Sequence, residues 1–496
     1  MQGPTMRYLK HLSLFLLMSL LIGCTTNPNL PQSADESATA ELYERTFESH
    51  VPNVALLNLF FTQMPKGGDL HHHYTGSLYA ESYLEWVKKN NWFIDTCTFK
   101  IVKVKGNETC KTLTVDELIA NDTLYRKLLT IWSDKDYDNH SHEQLPPDSN
   151  FFNTFGYFSP VSDQYMDVGL NIIKERAINE NVSYIETMLS RVGVNSSEFF
   201  NADEAKNLNT ALHQATTQEE VNALLERISV IYAQNQAFNV KVNHFISELE
   251  RRHEGIDTAN FTMRYQTYAV RVLEPLQVYT DLLAGYTAAL NSPLVVGVNI
   301  VAPENNTVAI NDYTLHMRMF NYLASKYPHI HRSLHAGELA IGMVEPKELL
   351  FHITQARSIA GAERIGHGVD LAYEKESIAL LQDLKAHAAV EINLTSNDFI
   401  LGVAGNAHPY TIYATYCVPI VISTDDSGVS RDNLSHEYVL LASRYHPSFK
   451  TIKTYVYNSI DYSFLSPEDK AKVKDQLDKK FMVFEREMST LGKSLK

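Results

Sequence analysis

The chain has 496 residues, with 43 Lys plus Arg against 58 Asp plus Glu, for a net charge of −15. Hydrophobic residues make up 44% and charged residues 20%, enough for a sizeable core, which excludes global disorder. The acidic balance disfavours DNA or RNA as a partner. The length suits about three domains, or one α/β barrel with insertions. The chain also carries 20 His, the common metal ligand and near-neutral acid or base.

At the N-terminus, residues 12–23 (LSLFLLMSLLIG) follow Arg7 and Lys10. A basic stretch before a short apolar run reads as a signal peptide, residues 1–23, too short for an ordinary membrane span. It ends Leu21-Ile22-Gly23-Cys24, which resembles the bacterial lipoprotein box. That resemblance implies that Cys24 becomes the lipidated first residue of an exported lipoprotein, membrane-anchored and facing the periplasm or cell surface. A plain signal peptide cut nearby is the alternative. Thr25 after Cys24 leans towards the outer membrane. Residues 24–38 are polar and read as a flexible tether.

Residues 38–63 read as one helix leading to Met64-Pro65, and 39–496 as a single barrel domain. Eight short apolar runs follow as candidate strands: 68–74, 183–189, 240–246, 294–300, 331–337, 364–369, 389–395 and 419–425. Several are apolar on both alternations, as buried parallel strands are, and helical patterns lie between them. This predicts an α/β fold, a (β/α)8 TIM-type barrel with an insertion after the first strand and extra N- and C-terminal helices. A doubly wound open sheet is the runner-up. The rim insertion spans about 88–150. In it, Cys97 and Cys110 flank TFKIVKVKGNET, an alternating strand with a Gly-Asn turn, and export favours a disulfide over free thiols. Residues 134–150 read as loop. Cys417, beside Val418, reads as a buried small hydrophobe. Near the C-terminus, Ser466-Pro467 starts a helix whose Val473, Leu477, Phe481 and Phe484 recur at helical spacing, a packing stripe.

Four polar clusters sit at the C-terminal ends of candidate strands, where barrel enzymes place their sites. In Asp69-Leu70-His71-His72-His73, strand alternation turns His71 and His73 together and His72 away. Ser333-Leu334-His335-Ala336-Gly337-Glu338 offers a third imidazole and a carboxylate. Arg364-Ile365-Gly366-His367-Gly368 sets a His between glycines, and Ser423-Thr424-Asp425-Asp426 pairs two carboxylates. Each has a plainer reading as a cap, turn or solvated strand end. Four such coincidences are better explained by one site. Three imidazoles and a carboxylate suit zinc with a position left for water. Glu338 is then a candidate general acid, and His367 a residue that orients or deprotonates the water. The chemistry is metal-assisted hydrolysis of an electrophilic carbon in an amide, an ester or an aminopurine ring.

Taken together, the motifs MPKGGDLHHHYTGS, SLHAGE, RIGHG, LTSN, His408-Pro409 and ISTDD resemble those of the adenosine/AMP deaminase family over roughly residues 60–490. NFFNTF (150–155) and the Cys-containing insertion are most similar to its secreted growth-factor-type members. The resemblance implies one zinc per chain on His71, His73, His335 and Asp425. It implies Glu338 as proton donor to purine N1, His367 at the attacking hydroxide and Asp426 at purine N7. It also implies a small purine nucleoside as substrate, deaminated at C6 to inosine and ammonia, and leaves a homodimer through residues 38–63 open. The chain lacks the CxxC of cytidine deaminases. It departs from the family twice. Tyr74 and Thr75 stand where many members place a ribose-binding Asp, and Ala302 stands where a glycine backbone meets purine N3, although Glu304 keeps the following acid. Both changes bear on sugar recognition. The competing readings are another aminopurine or amidohydrolase substrate, and a catalytically silent nucleoside-binding surface lipoprotein.

Overall fold

The structure is a computed structural model and describes residues 33–106, 110–135 and 145–495. Cys24, the signal segment and most of the tether lie outside the described residues. Eight parallel strands form one sheet: β1 (Lys66–His73), β2 (Val182–Ser190), β3 (Thr262–Val270), β4 (Val295–Val301), β5 (His331–Ala336), β6 (Arg364–His367), β7 (Ala389–Ile392) and β8 (Ile420–Ile422). Neighbours in sequence are neighbours in space, joined by helical crossovers. The ring closes where β8 returns to β1. A parallel bridge pairs His72 with Asp425, the Asp425 N–H donates to the His71 carbonyl at 2.8 Å, and the His73 N–H donates to the Asp425 carbonyl at 3.1 Å. The fold is the expected TIM-type (β/α)8 barrel, not the open sheet.

The third strand is not where its apolar run suggested. VKVNHFI (240–246) lies inside the helix Gln236–His253. Its buried residues Phe238, Val242, Ile246 and Leu249 follow a helical period, which overrides the β-branched composition. The strand is instead TMRYQTYAV, where alternate burial is masked by Arg264 and Gln266.

Inside the barrel runs a polar belt. Arg364 is fully buried and binds Glu186 through Nη2 and Glu391 through Nε, the latter at 2.5 Å. Gln266 donates to Glu186 at 2.8 Å, Asn299 to Gln266 at 3.1 Å, and Ser333 to Glu391 at 3.0 Å. At the other end, the Lys66 ammonium donates to the carbonyls of Phe61, Met64 and Glu180, which gives the Met-Pro-Lys motif a structural duty.

Residues 38–63 form two helices, not one: α1 (Ala34–Arg45) and α2 (Val54–Gln63), separated by a segment containing Pro52. Residues 34–38 of the expected tether belong to α1, capped by Ser33. Both helices pack on the chain's own barrel. Thr39 and Arg45 donate to carbonyls of Glu485 and Gly492 in the C-terminal helix Pro467–Ser494, and Phe60 packs against Phe449 and Phe484.

The insertion after β1 holds three short antiparallel strands, with Phe93–Asp95 between Ile101–Val102 and Thr112–Leu113, in place of a two-stranded hairpin. Cys97 and Cys110 are disulfide-bonded across it. Residues 147–150 open the helix Pro147–Ser162, not a loop. Cys417 is half-buried at the C-terminal cap of a short helix, with φ 58°, not deep in the core.

Candidate active site

The C-terminal strand ends converge on a cavity of about 310 Å³ lined by His73, His335, His367, Glu338, Asp425 and Asp426 on its polar side. The rest of the lining is Phe151, Phe152, Phe155, Tyr268, Val270 and Val301, with Thr75, Ala302 and Pro303. That volume lies at the lower end of the range of small-molecule sites, about 300 Å³ and upward. Helix Pro147–Ser162 supplies the three Phe, so the insertion walls one side of the cavity.

The imidazoles meet ring to ring. His71 and His335 have centroids 4.4 Å apart, His71 and His367 4.8 Å, and His73 and His335 5.1 Å. Gly366 permits this, because a Cβ there would stand 2.6 Å from His71 Cε1. Gly76 does the same for Asp426, whose carboxylate fills the space a Cβ would need. His367, Asp425 and Ala302 all hold left-handed backbone, with φ 68°, 59° and 87°. Such strain persists only where the surroundings enforce it, and it gathers at functional sites.

Two carboxylic partners set the charge of the cluster. Asp425 Oδ1 lies 3.4 Å from His71 Nε2 and 3.1 Å from His73 Nε2, and its Oδ2 accepts from Ser396 Oγ at 2.6 Å. Burial opposes ionisation of Asp425, yet the His71 and His73 imidazoles beside it hold it well below the usual range. Burial also opposes charge on His71, yet Asp425 and Glu391 push it up to about 10. Burial and the neighbouring histidines hold His335 well below its ordinary value, and burial with His71 pushes His367 down to about 3. Burial, then Asp425 and Glu304, push Glu338 up to about 8, and burial with Asp425 raises Asp426 well above the carboxylate range.

The donor set fits a metal cation. His73 Nε2 and His335 Nε2 lie 3.1 Å apart, and His71 Nε2 is buried without a hydrogen-bond partner. His71 Nδ1 meets Glu391 Oε2 at 2.7 Å and His335 Nδ1 meets Asn299 Oδ1 at 3.0 Å. Each Nδ1 carries a proton to its acceptor, so each ring, when neutral, turns an Nε2 lone pair inward, the arrangement of metal-ligating histidines. The imidazoles of His71, His73 and His335 and the Asp425 carboxylate are the donors that would hold such a cation. Ligand-capable atoms lie within 4.8 Å of one another in two overlapping groups, His71, His335, His367 and Asp425, and His73, Asp425 and Asp426.

Glu304 fixes Glu338 from behind, accepting the backbone N–H of Gly337 at 3.1 Å and of Glu338 at 2.9 Å, with His352 Nδ1 at 2.6 Å. Thr75 and Ala302 line the cavity. Tyr74 does not, which corrects its expected contact with substrate. Its ring is buried beside Gly169 and its hydroxyl donates to the Ser162 carbonyl at 3.3 Å, because the chain leaves β1 as a helical turn that aims Tyr74 at the crossover helix. His72 likewise faces out of the barrel, onto Thr187 Oγ1 at 2.9 Å. Glu391, Asn299 and Tyr268 escaped the sequence reading, and Ser396, inside the LTSN motif, was assigned no role. Glu391 sits in an apolar strand run and Asn299 in VVGVNIV, where a lone polar residue inside a buried strand is the signal that was there to find.

The adenosine deaminase family profile matches residues 176–480. The chain therefore belongs to the adenosine deaminase family. Among curated relatives, the adenosine deaminase of Clostridium kluyveri is 34% identical over 155 residues, 31% of this chain and 41% of that protein. That of Enterococcus faecalis is 30% identical over 152 residues, 30% of this chain and 42% of that one. The matched stretch thus spans about two fifths of these relatives' length. The fold is shared with the N6-mAMP deaminase of Arabidopsis (TM-score 0.54, 16% identity, 85% of this chain and 99% of that one). It is also shared with a Zn-bound amidohydrolase from Burkholderia ambifaria (TM-score 0.51, 13% identity, 87% and 94%).

Proposed function

We propose that this chain is a zinc-dependent hydrolytic deaminase of a 6-aminopurine nucleoside, with adenosine as the reference substrate. The observation that carries the reading is one cavity lined by Glu338, Asp425, Asp426 and the imidazoles of His73, His335 and His367, in which burial pushes the Glu338 pKa up to about 8. His71, His73, His335 and Asp425 are the residues that would hold the metal, which when bound lowers the pKa of its water towards 7. Glu338 donates its proton to purine N1, which makes C6 more electrophilic. Water oxygen bonds to C6, the C6–N bond breaks and ammonia leaves. One water proton departs on ammonia, the other restores Glu338, and the donated proton stays on N1 of the keto product. Asp426, whose pKa burial raises, would donate to N7 in its protonated form. The Phe151, Phe152 and Phe155 wall suits a flat ring, and Thr75 offers a hydroxyl to a sugar.

The lining carries three carboxyls and, among the described residues, no Lys or Arg. A phosphate would meet no counter-charge there, which favours a nucleoside over a nucleotide. Release of ammonia from adenosine, adenine and AMP, and of methylamine from N6-methyl-AMP, tests this. Adenosine is expected to lead, preference for AMP would remove the nucleoside assignment, and no turnover of any member would remove the activity. We further propose, from the sequence, that Cys24 anchors the exported chain in the outer membrane. Cys24→Ser should then move the protein from the membrane to the soluble fraction, and continued membrane association would count against the anchor.

A further inference from the structure

A hydrogen-bond chain of fixed polarity runs into the back of His367. The backbone N–H of Tyr410 donates to His408 Nδ1 at 3.1 Å. A backbone amide only donates, so His408 Nδ1 is an acceptor, and neutral His408 carries its proton on Nε2. Burial keeps it neutral, pushing its pKa down to about 4. That Nε2–H donates to Asn397 Oδ1 at 3.0 Å. The orientation of the Asn397 amide is thereby set from a backbone donor, with its Nδ2 turned to His367 Nδ1 at 2.8 Å. A second amide, Asn393 Nδ2, faces the same ring nitrogen at 3.4 Å. His367 Nδ1 therefore holds a lone pair, and its proton sits on Nε2. Nε2 points into the site, 3.7 Å from Glu338 Oε1 and 3.9 Å from Asp425 Oδ2.

We infer that His408 and Asn397 are positioning residues that lock His367 as its Nε2–H tautomer, so that it serves the reaction as a hydrogen-bond donor to the attacking oxygen and neither as a metal ligand nor as the base. The contrast within the cavity is direct. His335 spends its Nδ1–H on Asn299 and turns a lone pair inward, whereas His367 receives on Nδ1 and turns a proton inward. One residue type thus takes two roles, chosen by what stands behind each ring. The role as donor to the attacking oxygen rests on the proposed deamination, but the tautomer does not.

The test is long-range 1H–15N correlation of the imidazoles in the full-length, metal-loaded protein, with the His367 signal identified by its absence from His367→Gln. The wild type is expected to show the Nε2–H pattern. In Asn397→Asp a carboxylate faces Nδ1 and can only accept, so the pattern should invert to Nδ1–H, with kcat down about 100-fold and KM within about threefold. His408→Gln can accept from Tyr410 and donate to Asn397, and should keep both tautomer and rate, whereas His408→Leu should mix the tautomers and slow turnover. An Nδ1–H pattern in the wild type, or an Asn397→Asp protein with unchanged pattern and rate, overturns the inference. If Asn397→Asp does not fold, the His408 pair decides, and identical behaviour of the Gln and Leu variants overturns it. If the wild type deaminates no aminopurine, the proposed activity falls while the tautomer still answers for the relay.

Discussion

Burial and the carboxylates of Asp425 and Glu304 make a further negative charge at Glu338 costly, which pushes its pKa up to about 8. A proton donor must be protonated, so the sign is fixed: kcat/KM should hold below that value and fall as pH rises through it, about tenfold per unit beyond. A pH–rate profile flat to pH 10 would remove Glu338 from the role. Glu338→Gln should fold and keep its metal but lose about 10²–10⁴ in turnover, measured by ammonia release beside metal content. Ala302 lies at φ 87° on the cavity wall, where L side chains are strained. Ala302→Gly should raise stability by about 1 kcal/mol, read as a higher thermal midpoint, and an unchanged midpoint would mean that the neighbours relieve the strain.

Among the elements, the insertion between β1 and β2 matters most to the site, since its helix Pro147–Ser162 brings three Phe to the cavity. The same insertion carries the short sheet closed by Cys97–Cys110, a separation of 13 residues. A loop of that length loses about 3 kcal/mol of unfolded-state entropy when bridged. The double variant Cys97→Ser/Cys110→Ser should therefore speed amide exchange across residues 93–113 and leave β2–β7 unchanged. Equal acceleration throughout the barrel would show that the bridge stabilises the whole domain. The helix Gln236–His253 teaches the complementary lesson. A run of β-branched residues sat in the slot of a strand, and only its burial against neighbouring helices revealed the period it obeys.

For the molecule as a whole, the barrel seam and the proposed metal site coincide. β8 returns to β1 through His71, His72, His73 and Asp425, and three of these are proposed ligands. A cation there would tie the first and last strands together and relieve two facing Nε2 atoms at 3.1 Å. Chelation should abolish turnover and lower the thermal midpoint together, and zinc should restore both, because a group that binds only the native state stabilises it. Loss of activity without loss of stability would mean that the seam holds without the ion.

The sequence by itself determined most of the site's cast. His71, His73, His335, Glu338, His367, Asp425 and Asp426 were legible because strand alternation and strand-end clustering are local properties, written in periods of two. The barrel was legible for the same reason, from buried runs alternating with helical ones. What stands behind each side chain was not. Glu391, Asn299 and Asn397 are far from their partners in the chain, and only closure of the barrel brings them to His71, His335 and His367. Tyr74 was ambiguous for a related reason. A residue just past a strand end has no alternation to follow, so its face is chosen by the turn and by the space that Gly169 leaves. Local periodicity tells which residues point inward. The proton on each inward nitrogen is set by contacts across the barrel, and those exist only in the tertiary structure.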